Sequence, residues 1–230
     1  MLPIISCEHA SNKIPENLAR LFDGQKEVLA SHKGYDLGAQ RLAAHLAGAL
    51  QAPLHLAPFS RLVADCNRSI GNPALFSVFT RVLPPLEREA ILALHYHPYR
   101  QAVLQSVQKA VQQSGSCLHI SVHSFTPVLR GKERRAEIGL LYDPARLPER
   151  KLCRSLLRNL KEKFPRLRSR CNYPYRGVSD GLTTVLRKSF AQEKYIGIEL
   201  ELNQGIVQKN NCWPQPLVDE FCKLIENLLE

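Results

Sequence analysis

A chain of 230 residues, 44% apolar and 23% charged, is long enough for one sizeable α/β core or two small ones and has the make-up of an ordinary water-soluble globular protein. No apolar stretch approaches the roughly 20 residues that cross a bilayer, and "LPII" is too short for the h-region of a secretory signal, so a single cytoplasmic domain over 1–230 is the expectation. The net charge of +10 suits an anionic partner, either a polynucleotide or a small carboxylate, and seven cysteines without a CxxC pair argue against a disulfide framework and against a thiolate zinc finger.

Residues 2–9 are an apolar run that stops at Cys7, Glu8 and His9 and reads as a buried strand. A helix is expected over 15–22 and another over 36–51, where Leu42, Leu46 and Leu50 share one stripe behind Asp36. A strand over 54–65 leads into a long polar loop, 66–84, after which "PPLEREAIL" opens a helical segment over 85–113 with prolines near its first turn. Then come a strand over 117–123, a second long loop over 124–136, a strand over 137–142 and a helix over 147–163. In that helix Leu152, Leu156, Leu157 and Leu160 recur between basic residues, the pattern of a solvated outer face. Phe164 is the only aromatic between Arg150 and Arg170, too few for a base-stacking platform, which weighs against nucleic acid. A helix over 179–190, a strand over 195–203 and a helix over 214–229 complete the chain. Alternation of this kind predicts an α/β fold, a mainly parallel, twisted sheet flanked by helices on both faces.

In open α/β sheets ligands bind outside the carboxyl ends of the strands, so residues there are candidates for chemistry. Glu8 and His9 end the first strand, Asp65, Asn67 and Arg68 follow the second, His123 and Ser124 follow the third, and Glu199, Glu201 and Asn203 lie near the end of the last. Imidazole and carboxylate are the ligand set of a catalytic zinc, and His9 and His123 form the natural pair. His45, His55, His95, His97 and His119 fit packing or surface roles, with His32 less clear. Glu199 and Glu201, two apart on a strand, share one face, and either a salt bridge to an arginine or a catalytic task accounts for them.

"SCEHASNKIP", "YDLGAQRLA", "SRLVADCNRS", "HSFTP", "IGLLYD", "NYPYRGVSDG" and "IELELNQ", in this order, resemble the N-formylglutamate amidohydrolase family from about residue 4 to residue 204. The resemblance implies a fold like that of the zinc carboxypeptidases, a zinc-exopeptidase-like sheet. It also implies one zinc ion (or another divalent metal) and hydrolysis of the amide bond of a small anionic N-acyl acidic amino acid such as N-formyl-L-glutamate. Carried onto this sequence, it makes His9 and His123 metal ligands, with Asp36 or Glu8 as the third. Glu201, supported by Glu199, would be the general base. Asn67 and Arg68 would bind the substrate carboxylate, with Arg61, Arg135 and Ser124 as further substrate contacts. Two other classes remain as alternatives: a basic nucleic-acid- or anion-binding protein that keeps the fold without catalysis, and a cysteine amidase using Cys7 and His9.

Overall fold

The computed structural model describes residues 1–207 and 211–229. β1 (Leu2–Cys7), β2 (Leu54–Leu56), β3 (Cys117–Phe125), β6 (Ile138–Leu141), β7 (Ser169–Cys171) and β8 (Tyr195–Asn203) make one sheet in the order β2-β1-β3-β8-β6-β7, and β4 (Val128–Leu129) pairs with β5 (Lys132–Glu133) as a separate hairpin. The first four neighbours are parallel, while β6 runs against β8 with β7 parallel to β6. β3 is buried along its whole length and β8 along nearly all of it, which suits central strands covered on both sides.

The helices are α1 (Lys26–Ala30), α2 (Ala39–Ala49), α3 (Pro85–Ile91), α4 (His97–Ser114), α5 (Leu147–Lys163), α6 (Leu182–Ser189) and α7 (Gln215–Leu229). Alternation along the strands sends Ile5, Ile120 and Ile198 to one face, where they pack with Leu46 of α2, Leu156 of α5 and Ile225 of α7. Ile4, Cys117 and Tyr195 face the other way, against Val103 and Val107 of α4 and Leu186 of α6. That second face carries every buried polar residue of the three central strands except Ser124: Ser6, His119, Ser121, His123, Glu199, Glu201 and Asn203. One face of the sheet is therefore core until Ser124 at the end of β3, while the other turns from core to chemistry toward the carboxyl ends.

Several element boundaries differ from the sequence expectation. The strand over 54–65 stops at Leu56. Pro58 lacks an amide proton, and Ser60 and Asp65 accept hydrogen bonds from the backbone N–H of Leu62 and Asn67, so the chain turns instead of extending. The helix over 36–51 begins only at Ala39, because Gly38 adopts φ +77° and a side chain there would meet Trp213, which leaves Asp36 outside the helix. The segment over 15–22 is a 3₁₀ helix, Glu16–Phe22, and the helix over 179–190 begins at Leu182. The expected long helix over 85–113 is continuous but passes through a π turn at Leu92–Tyr96. α1, β7 and the β4–β5 hairpin were not expected.

Candidate active site

β1 ends at Cys7, and the turn that follows places His9 at the carboxyl rim. β3 brings His123 beside it, the ring centroids 4.9 Å apart. Asp36 reaches in from the loop before α2, tied to the rim by its backbone N–H donating to His9 O at 3.0 Å. Its Oδ2 lies 3.3 Å from His9 Nδ1 and 2.8 Å from His123 Nδ1, so two imidazole nitrogens and one carboxylate oxygen converge on a point at which all three could hold a cation.

The far side of each imidazole is also occupied. His9 Nε2 bonds Asp65 Oδ1 at 2.8 Å, and His123 Nε2 faces Glu8 Oε2 at 3.0 Å. Hydrogen bonds of this kind fix ring orientation and leave Nδ1 facing the convergence point, the arrangement that supports metal-bound histidines elsewhere. Arg61 Nη1 lies 3.2 Å from His9 Nδ1 and can donate to it only when that nitrogen carries a lone pair. Arg61 Nη2 donates to Asp65 Oδ2 at 2.6 Å, so the guanidinium is fixed beside the trio. Glu8 points away from the convergence point. Its Oε1 accepts from Tyr99 Oη at 2.8 Å and its Oε2 from Ser121 Oγ.

Glu8, Asp36, Asp65, Glu199 and Glu201 are all at most 8% exposed, while Arg61 is the permanent cation within ion-pair distance of Asp36 and Asp65. Burial opposes ionisation of Glu8 and Asp36, yet hydrogen bonds and charge from His123, joined by His9 at Asp36, hold both carboxyls well below the usual carboxylate range. Burial likewise opposes charge on His123, but bonds to Asp36 and Glu8 hold its pKa well above the ordinary imidazole value. A site with this excess of buried negative charge, and donors of the type zinc takes, fits a bound divalent cation.

Register places Glu201 opposite His123 and Glu199 opposite Ser121, with both carboxylates on the same face of the sheet as the histidine. Glu199 Oε1 accepts from Thr183 Oγ1 at 2.6 Å. Glu201 Oε2 is buried with no hydrogen-bond partner among the described residues. Burial pushes its pKa up to about 8, Asp36 and Glu199 adding to the rise against the pull of His123.

His9, Asp36, Arg61, His123, Glu199 and Glu201 line a cleft of about 390 Å³. Asn67 and Arg68 form one wall, and Arg68 Nη1 is held by Asn67 O at 2.8 Å and Asp180 O at 3.0 Å. Ser124 is at the rim, its backbone N–H donating to Asp36 Oδ2 at 3.2 Å and its Oγ donating to Leu37 O. Arg135 is outside the cleft, exposed and paired with Glu133. Its neighbour Arg134 lines the cleft instead. Cys7 faces the core beneath α2, and burial pushes its thiol well above the usual cysteine value, the opposite of an activated nucleophile.

Residues 3–207 match the description of the N-formylglutamate amidohydrolase family. The chain belongs to that family. It is an amidohydrolase of the N-formylglutamate type. No curated protein sequence matches it. Among solved structures, a gene product of Agrobacterium tumefaciens is similar at 29% identity and a TM-score of 0.82, over 99% of this chain and 92% of that one. An N-formylglutamate amidohydrolase from Ralstonia eutropha JMP134 shares the fold at 18% identity and a TM-score of 0.73, over 98% of this chain and 92% of that one. No described helix is long and apolar enough to cross a membrane.

His9, Asp36, Asn67, Arg68, His123, Glu199 and Glu201 of this amidohydrolase are expected site residues that line the cleft, whereas Asp65, Ser121, Tyr99 and Thr183 carry no task in the sequence expectation. Arg134 and Tyr175, which also line the cleft, carry none either. A loop has no periodicity from which its inward residues can be read.

Proposed function

We propose that the protein hydrolyses the amide bond of an N-acyl acidic amino acid, N-formyl-L-glutamate first among them, with one divalent metal ion, zinc by its donor set, held by His9, Asp36 and His123. The observation that carries this reading is Glu201 Oε2, buried and without a partner beside that trio. A buried carboxylate oxygen left without a partner costs free energy, and groups of this kind concentrate at sites that move a proton. Bound by the trio, the metal supplies a Lewis acid and a water acidic near neutral pH.

The chain's own groups do the remaining work. Glu201 accepts the proton of the attacking water at Oε2 and returns it to the leaving amine nitrogen. Glu199, restrained by Thr183, is the fixed neighbour of the base on the same face of β8. Arg61, locked to Asp65, presents positive charge next to the reacting carbonyl as its oxygen becomes anionic. Arg68, aligned by Asn67 O and Asp180 O, presents its remaining donors to the substrate's α-carboxylate, a planar anion matched to a guanidinium fork. Asn67 is itself pinned, its Oδ1 accepting from Leu182 N at 2.7 Å. Seven cysteines without a CxxC pair are compatible with a reducing compartment, which supports the cytoplasm as the place of action.

The test is release of formate from N-formyl-L-glutamate by the purified protein, with and without a chelator. Release that stops on chelation and returns with added zinc is expected. Release that is insensitive to chelation, or no release from any N-acyl acidic amino acid, would overturn the reading.

A further inference from the structure

The cleft holds more positive charge than one carboxylate needs. Arg61 is consumed by Asp65 and the metal-facing groups, and Arg68 is set by two backbone carbonyls on the wall formed by the loop after β2. A third guanidinium, Arg134, enters from the β4–β5 hairpin. Its backbone is fixed on both sides: its N–H donates to Pro127 O at 2.7 Å and its carbonyl accepts from Asn203 Nδ2 at 2.8 Å. Asn203 lies two residues beyond Glu201 on β8, so the strand that presents the base also sets the position of this arginine.

The side chain is equally constrained. The Arg134 guanidinium lies 5.7 Å from the centre of the Phe125 ring and 5.2 Å from that of Tyr175, and Nη1 donates to Tyr175 Oη at 3.3 Å. Aromatic faces hold a guanidinium without using up its in-plane donors. No carboxylate among the described residues lies within ion-pair distance of it, although its charge is felt at Glu201. Arg176, which also lines the cleft, is exposed and has no comparable anchoring among the described residues.

We infer that Arg134 is the specificity residue that binds the second, side-chain carboxylate of the substrate, opposite the α-carboxylate held by Arg68. The inference rests on the functional reading above and adds what selects an acidic amino acid over a neutral one. A chain with Arg68 alone would accept any N-acyl amino acid that fits. The second anchored guanidinium makes a dicarboxylate the preferred class.

The experiment compares kcat/KM for N-formyl-L-glutamate with that for N-formyl-L-glutamine, equal in shape but neutral at the side chain, in the parent, Arg134→Met, Arg134→Lys and Arg176→Met. In Arg134→Met the glutamate-to-glutamine ratio falls about 10- to 100-fold, the size expected for hydrogen bonds to a charged group, while Arg134→Lys keeps part of it. Arg176→Met leaves the ratio near the parent's. Because both substrates are measured on the same preparation, loss of folded protein cancels from the ratio. An unchanged ratio in Arg134→Met, or a collapse in Arg176→Met instead, overturns the assignment. A parent that hydrolyses neither substrate overturns the functional reading and this assignment with it.

Discussion

Two buried glutamates near opposite ends of the same strand have been treated in opposite ways. Near the start of β8, Glu149 of α5 is fully buried and completely partnered: Arg187 Nε donates to its Oε1 at 2.9 Å and Oε2 at 3.1 Å, and the backbone N–H groups of Gly197 and Asp143 complete the set. Arg187 goes on to bond Gly177 O and Gly197 O, so the pair ties α5, α6, β8 and the loop before α6 together. Toward the other end, Glu201 is 4% exposed and its Oε2 bonds nothing among the described residues. Burial opposes the charge of the side chain in both places. Where partners are supplied it serves as a strut, and where one is withheld the carboxylate stays available for a proton.

The contrast breaks first at Glu201. Glu201→Gln is expected to lower kcat by about 10²- to 10⁴-fold, the usual contribution of a positioned general base, without loss of thermal stability. Full activity in this variant would move the role elsewhere. Glu149→Ala is expected to do the reverse. It leaves the Arg187 charge buried and unpaired, at a cost of about 3–5 kcal/mol in denaturant unfolding, while kcat per folded molecule stays within a few-fold. Equal losses of activity and stability in both variants would erase the distinction between strut and base.

Smaller effects sharpen it. Glu8→Gln and Asp65→Asn each weaken the support behind one histidine and should lower metal affinity about 10- to 100-fold, read by competition with a chromogenic chelator. An affinity unchanged in both would mean that these carboxylates do not orient the rings. The last effect is a pH slope in the metal-free protein. With its pKa raised from 4.5 to about 8, Glu201 contributes stability that is complete below about pH 4.5 and is lost as the pH rises through 8. Glu201→Gln should flatten that decline between those values, measured as unfolding free energy at several pH values.

How much of this could be read from the residues follows from what each depends on. The strand-end positions of His123, Glu199 and Glu201 depend on apolar alternation, which is a local property, and the structure has them on the expected strands. His9 follows for the same reason, although β1 ends two residues earlier than expected. Asp36 came from the family resemblance and not from spacing, since nothing in "YDLGAQ" says that the helix starts after Gly38 or that the preceding loop crosses to the rim. The tasks of Glu8 and Asp65 depend on which way two turns send their side chains. Leu62, Val63 and Ala64 look like a strand continuing, and only the bonds of Ser60 and Asp65 to their own backbone reveal otherwise. Arg134 and Tyr175 meet across 41 residues, a pairing of two loops that no local pattern encodes.

The central claim is that His9, Asp36 and His123 together hold one metal ion, and metal content tests it most directly. Elemental analysis of the purified parent should give close to one equivalent of zinc or another divalent metal per chain, with most of it lost in both His9→Ala and His123→Ala. Near-stoichiometric metal persisting in both variants, or a parent that binds none when zinc is supplied, would contradict the account.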